Sequence, residues 1–194
     1  IMKSKTRISK SIISVFLAIV MVLTTITPIA SFAAESTSPT ISVGEVKAQP
    51  GKNVNVDIVI SNNTGVAALL SKVSYDESIL TLNSITYNES FGGTGTEPQT
   101  YASPVSIVWD DSKDNTSNGT LATLNFTVNE NANSGTTATI TVSYNKGEIC
   151  DINENDVDFV IKNGAVLVIK GLPGDINSDQ FVNAKDLTRL RKHF

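Results

Sequence analysis

The 194-residue chain has one cysteine, one histidine and one tryptophan, and only 18% of its residues are charged. A lone Cys150 excludes an internal disulfide, so the fold has to be held by an apolar core or by metal. The lone His193, next to the last residue, leaves no histidine for a nucleophile–base triad inside the body of the chain. Paired carboxylates for glycosidase chemistry could be drawn from Asp110, Asp111, Asp114 or Glu148, but these fall in turn-like stretches, where solvated acids are the better explanation. One tryptophan and four scattered tyrosines do not make the coplanar aromatic platform that reads sugar faces. A carbohydrate-binding module of a polysaccharide-degrading system therefore stands as the alternative reading, not the first. Long apolar runs are also scarce. The longest, at 12–23, falls short of the roughly 20 residues that span a bilayer, even with Ile26 and Ile29 extending it weakly.

That run has the setting of a secretory leader. Lys3, Lys5, Arg7 and Lys10 precede it, and "ASFAAE" follows, with Ser31 and Ala33 as the small residues at −3 and −1. The expected cleavage after Ala33 leaves a short segment at 34–39 and a secreted, extracellular protein. Ile1 ahead of Met2, and the abrupt end, suggest a fragment of a longer reading frame. Beyond the leader, 11 Lys and Arg face 19 Asp and Glu, a net charge near −8. Such a chain lacks the basic face that nucleic acid or anionic membrane requires.

From residue 40 to 170 the apolar period is two. Val54, Val56, Ile58 and Ile60 alternate with polar neighbours, as do Leu124, Phe126 and Val128, and then Ala138, Ile140, Val142 and Tyr144. Further strands are expected near 41–47, 67–75, 80–87, 104–110, 157–161 and 164–170. Turn formers such as "QPGKN", "SNNTG", "SFGGTGTEP" and "NENANSG" separate them. Short strands with polar turns and no helical stripe predict an all-β, antiparallel two-sheet jelly-roll sandwich.

The C-terminal stretch "GDINSDQFVNAKDLTRLRKHF" differs in kind. Counting from Asp175, oxygen donors fall at positions 1, 3, 5, 7, 9 and 12 of a twelve-residue calcium loop: Asp175, Asn177, Asp179, the Phe181 carbonyl, Asn183 and Asp186. Two positions depart from the usual loop. Gln180 stands where Gly is common, and the twelfth ligand is Asp rather than Glu. An Asp/Asn-rich turn capping a short basic helix is the plain alternative. After the loop, Leu187, Leu190 and Phe194 share one helical face and leave Lys185, Arg189 and Lys192 solvated. The stretch "DINENDVDFVIK" also begins Asp-x-Asn-x-Asn, but its twelfth residue is Lys162, so it reads as a polar turn. The "GLPG" linker at 171–174 spans at most about 14 Å.

Residues 40–170 resemble a cohesin module, the receptor half of the cellulosome's plug-and-socket pair. The matching segments are "ISVGEVKAQPGKNVNVDIVIS", "GVAALLSKVSYDESILTLNSI", "SIVWDDS", "GTLATLNFTV" and "FVIKNGAVLVI", with the "SYD" turn most telling. The pattern "GD.N.D..VNAKDL..L" resembles the first half of a dockerin, a family that lacks the helix leading into the loop, uses Asp at position 12 and carries two loop-helix units. The resemblance implies a non-catalytic scaffold or adaptor. Its cohesin would bind dockerin-bearing polysaccharide-degrading enzymes, its own dockerin would dock on the cohesin of another scaffold, and polysaccharide would be engaged only indirectly. Calcium is the implied cofactor of the loop. Cohesins receive their partner on an open sheet face built largely from the third, fifth, sixth and eighth strands. Carried over, that face takes Ala68, Leu70 and Lys72 from the third strand and Ile107, Trp109 and Asp110 from the fifth. Core packing accounts equally well for Leu70 and Ile107, and better for Trp109. The partner-selecting positions of the dockerin half are Ala184, Lys185, Arg191 and Lys192.

Overall fold

A strand sends successive side chains to opposite faces, so a run with apolar residues at every second position buries one face and exposes the other. The computed structural model describes residues 38–171, 174–176 and 181–192. The expected leader (1–33), residues 34–37 and positions 172–173 of the linker lie outside the described residues. Among the described residues, twelve strands follow one another. They are β1 (Thr40–Val43), β2 (Glu45–Ala48), β3 (Asn53–Ser61), β4 (Val66–Ser74), β5 (Leu80–Tyr87), β6 (Thr94–Thr96), β7 (Val105–Asn115), β8 (Gly119–Val128), β9 (Thr137–Ser143), β10 (Ile149–Cys150), β11 (Val160–Lys162) and β12 (Gly164–Val168). Among the same residues a 3-10 turn, Glu89–Phe91, precedes β6, and the helix α1 (Ala184–Arg191) follows the strands.

The strands form the two-sheet sandwich that the alternation predicts. Sheet one runs β11-β1-β3-β8-β5 and sheet two runs β2-β12-β9-β4-β7-β6, with β10 added beside β4. Between them lie Ile58, Ile60, Leu80, Leu124 and Phe126 from sheet one, and Leu69, Val73, Ile107, Trp109, Ile140 and Val166 from sheet two, all nearly inaccessible. Two bulges reset the alternation. Opposite Ile58 and Val59 the β8 register slips, and Leu121 and Ala122 are both buried although adjacent. Between Val66 and Ala68 the β4–β7 register slips too, and Val66 and Ala67 are both buried.

The strand expected at 41–47 is two strands in different sheets. Its first part, β1, pairs antiparallel with β3; past Gly44 the chain crosses over and β2 pairs parallel with β12. The Gly44 N–H donates to the Asp57 carbonyl at 2.9 Å, pinning the crossover. Gly164, at the start of β12, lies so close that an added Cβ would sit 2.3 Å from the Gly44 carbonyl oxygen, whereas a Cβ on Gly44 itself would meet nothing nearer than 3.6 Å. Replacing Gly164 with Ala is expected to lower stability by about 1–3 kcal/mol in urea unfolding, because backbone must move to admit the methyl group. Gly44→Ala is expected to leave the midpoint nearly unchanged. Equal effects of the two would contradict this packing.

Candidate functional site

The outer faces of the two sheets differ in chemistry. On sheet two, β4 and β7 pair so that Leu70 lies opposite Val108, and β6 places Thr96 on the far side of Val108. One step along, Ala68 lies opposite Asp110 and Asp110 opposite Thr94; in the other direction Lys72 is flanked by Ser106 and Ser143, and Ser74 by Thr141. Ala68, Leu70 and Val108 are half-buried, while Lys72 and Asp110 are exposed. Directly opposed side chains stand about 5 Å apart, so Leu70 and Val108 make one apolar patch framed by hydroxyls, with a cation to one side and an anion to the other. β10 extends the face, because Cys150 pairs with Ala68 and the Glu148 carbonyl accepts the Leu70 N–H at 2.8 Å. The Glu148 carboxylate lies below its ordinary range, first because the Asn145 backbone N–H donates to it, then through the Asn145 amide, with Lys72 adding a smaller attraction.

Two of the side chains expected on this face are not there. Ile107 and Trp109 are 0% and 2% exposed, inside the core. Period two decides the matter: Trp109 and Asp110 are neighbours and cannot share a face, and the indole is held inward by its N–H donating to the Gly92 carbonyl at 2.9 Å and by edge-on packing with Phe91. The residues that replace them are Ser106 and Val108. Ala68, Leu70, Lys72 and Asp110 stand on the outer face as expected. The strand count also changes. β6 is three residues long and carries no alternation, so it escaped the sequence reading. Counting β1 and β2 as one strand and including β6, the third, fifth, sixth and eighth strands become β4, β6, β7 and β9, which are contiguous in sheet two. The strand at 119–128, counted sixth from sequence, lies in sheet one, as does β11.

The outer face of sheet one is tied to itself. The Asn83 amide donates to Asn125 Oδ1 and Thr127 Oγ1, both at 2.9 Å, and the Asn125 amide donates to Asn55 Oδ1 at 2.7 Å. The Thr127 hydroxyl donates to Asn53 and the Thr123 hydroxyl to Asp57, at 2.8 and 2.6 Å. These polar groups are paired with one another across the strands, and the apolar side chains on that face, Val59 and the 45% exposed Val160, lie away from them toward β1 and β11. The tyrosines do not form a platform on either face. Tyr75 packs edge-on against Phe126 with centroids 5.0 Å apart, the Tyr144 hydroxyl bridges the backbone of Phe159, and the Tyr87 hydroxyl sits between Thr96 O and Val108 N.

At the C-terminus, Asn183 is the N-cap of α1, its Oδ1 accepting the Lys185 N–H at 2.8 Å. Asp186, 3% exposed, completes a capping box by accepting the Asn183 N–H at 2.8 Å, and also accepts the Ile176 N–H at 2.8 Å. The second contact joins the backbone at Ile176 to the first turn of the helix. The donor chemistry fits a hard cation, since Asp175, Asn183 and Asp186 all offer oxygen. Asn177 and Asp179 lie outside the described residues, and among the described residues no three acidic, cysteine or histidine side chains cluster as a metal site. Phe181 is exposed, and so are Ala184, Lys185, Arg191 and Lys192. Leu187 and Leu190, expected along one face of the helix, are 51% and 39% exposed; Phe194 lies outside the described residues. The "DINEND" stretch is a turn in which Asp151 Oδ1 accepts the N–H groups of Asn153 and Asn155 at 2.9 and 2.8 Å.

The division of β7 into core and surface has a direct consequence for stability. Truncating Ile107 to Ala is expected to cost about 2–5 kcal/mol in urea unfolding. Truncating its neighbour Val108 is expected to cost under about 1 kcal/mol. The reverse order would place the strand in the other register.

Known proteins share this arrangement. The cohesin domain family matches residues 39–168. Among solved structures, the cohesin CaCohA2 of Clostridium acetobutylicum is 27% identical, with a TM-score of 0.57 over 70% of this chain and 94% of that one. In a complex of CaCohA2 with a dockerin the identity is 26% and the TM-score 0.59, over 68% of this chain and 99% of that one. A non-cellulosomal cohesin from the archaeon Archaeoglobus fulgidus shares the fold, with a TM-score of 0.61 and 19% identity over 74% of this chain and 99% of that one. No curated protein matches the chain. The family is one of non-catalytic interaction modules, and with two thirds of its length matched, this chain belongs to the cohesin family.

Proposed function

We propose that the chain is a secreted, non-catalytic adaptor of a cellulosome-type assembly, whose sandwich receives the dockerin of a polysaccharide-degrading enzyme on the outer face of sheet two. The observation that carries this reading is the contrast between the two outer faces. Sheet two exposes Leu70 beside Val108 within a flat field of Ser and Thr, whereas the polar groups of sheet one bond to each other. An apolar centre with a polar rim is what a protein-docking surface needs. The crystallised complex of CaCohA2 with a dockerin supports the partner class by similarity. Secretion rests on the basic-then-apolar leader ending at Ala33, and attachment to a cell surface would come only through a further scaffold.

The C-terminal segment is proposed as the first loop-helix of a dockerin. Asp175, Asn177, Asp179, Phe181 O, Asn183 and Asp186 would hold Ca2+, which when bound supplies the positive charge that keeps a carboxylate-lined loop folded. Ala184, Lys185, Arg191 and Lys192 would face the cohesin of another scaffold. The capping box gives the chain's own contribution: Asn183 and Asp186 start the helix at the end of the loop, so loop order and helix order are coupled.

Isothermal titration with a panel of dockerins from clostridial polysaccharidases tests the sandwich. A dockerin that binds is expected to bind about thirtyfold or more weakly to Leu70→Asp or Val108→Asp. Retardation in native gels containing cellulose, xylan or starch, with no dockerin bound, would replace this reading by direct polysaccharide binding. For the tail, calcium added alone is expected to raise helical ellipticity, and Asp186→Ala to abolish the change. A response that survives Asp186→Ala would remove the ligand assignment.

A further inference from the structure

The outer face of sheet two carries its charges in a pattern. Three hydrogen-bonded strands set out a grid there, with β4 in the middle, β10 on one side and β7 on the other. Cys150, Ala68 and Asp110 stand side by side in one row. Glu148, Leu70 and Val108 make the next, since the Glu148 carbonyl accepts the Leu70 N–H. Two acids thus hold one diagonal of the grid, and Cys150 and Val108 hold the other. Most acids nearby are already engaged within the protein. Asp111 accepts the Asn115 amide at 3.1 Å, Asp114 the Ile152 N–H at 2.8 Å, and Asp156 pairs with Lys146 at 3.5 Å. The exposed Asp110 side chain has no hydrogen bond or ion pair among the described residues. Glu148 is fixed without being used up. The backbone N–H and the side-chain amide of Asn145 each donate to one of its oxygens, which orients the carboxylate and leaves it lone pairs to spare.

Resting on the reading that this face receives a dockerin, we infer that Asp110 and Glu148 select a partner helix bearing two cations astride an apolar residue, laid along the acid diagonal. Adjacent strands stand about 4.8 Å apart and the next row lies about 6.6 Å on, so the diagonal measures about 12 Å. On a helix that distance is about seven or eight residues, or two turns, which puts the residue one turn from each cation over Ala68 and Leu70. Val108 and Cys150 then flank the helix on either side, where it covers them. Lys72, one row beyond Leu70 and between Ser106 and Ser143, repels any cation placed there and so confines the match to the diagonal. A helix with acids in the two places would meet like charge at both ends. The 15 acidic against 7 basic side chains over residues 38–171 act in the same direction at longer range.

The same panel of dockerins, titrated into the chain at low and high salt, tests this. Dockerins with Lys or Arg at that spacing on an exposed helix face are expected to bind, and those with Asp or Glu in both places to bind at least about tenfold more weakly. For a dockerin that binds, Asp110→Asn and Glu148→Gln are each expected to weaken binding about tenfold and to flatten its salt dependence. Asn145→Ala, which loosens the Glu148 carboxylate but keeps its charge, is expected to weaken binding by a smaller factor and leave the salt dependence as it was. Glu45→Gln, the same loss of charge on the edge strand β2, is expected to change nothing. Binding indifferent to Asp110→Asn and Glu148→Gln, or weakened as much by Glu45→Gln, would overturn the inference. If such binding is still lost in Leu70→Asp, docking on this face stands and only the charge selection falls; if no dockerin binds at any salt, both fall.

Discussion

The strict two-residue period of an extended backbone is the constraint on which the rest of this structure depends. In β7 it sends Ile107 and Trp109 into the core and, by the same geometry, turns Ser106, Val108 and Asp110 outward. In β4 it does the same for Leu69, Ser71 and Val73 against Ala68, Leu70 and Lys72. Because β4 and β7 are hydrogen-bonded neighbours, Leu70 and Val108 meet as a cross-strand pair. A slip of one residue in β7 would bury Val108 and expose Trp109, and one in β4 would bury Leu70 and expose Leu69, so core stability and the composition of the docking face are one and the same register choice. The Trp109 N–H bond to Gly92 and the packing on Phe91 resist that slip.

The difference between the two outer faces follows from how each one deals with water. Asn and Thr side chains on sheet one reach across strands and satisfy one another, so a partner arriving there would have to break existing hydrogen bonds before making its own. On sheet two, Leu70 and Val108 lose nothing by being covered, and the surrounding Ser and Thr hydroxyls rotate to suit an incoming polar group. Apolar area without a self-bonded lattice around it is where association gains free energy. Area alone does not set affinity, however, and the charges around the pair serve specificity and orientation.

Much of this was legible in the sequence, and the parts that were not have physical causes. The alternation in 54–60, 124–128 and 138–144 reports burial on one face directly, and those segments are strands in the expected phase. The run at 41–47 was read as one strand, although its apolar positions pass from odd (Ile41, Val43) to even (Val46, Ala48) across Gly44, a phase change that marks the switch between sheets; the close approach of Gly164 at that point is not visible in the local pattern. β6 was invisible because three residues with a central glycine carry no periodicity, and its loss shifted the strand count by one. The phase of β7 was ambiguous because Val105–Trp109 is apolar at four of five positions, and only the indole's need for a deep pocket and a partner for its N–H breaks the tie. At the C-terminus the spacing of donors was readable from residue types. That Asn183 and Asp186 would cap the helix was equally available from Asn-x-x-Asp preceding an apolar residue.

That double use of Asp186 bears on how the tail holds its shape. A carboxylate 3% exposed is costly unless its charge is compensated, and here two backbone N–H groups converge on it. One of them belongs to the helix cap and the other to the start of the loop, so a single side chain ties both ends of the segment together. Leu187 and Leu190, by contrast, remain exposed, and a helix of eight residues gains too little from its own hydrogen bonds to stand alone in water. The polar side of the segment is thus organised from within, by the same carboxylate that caps the helix.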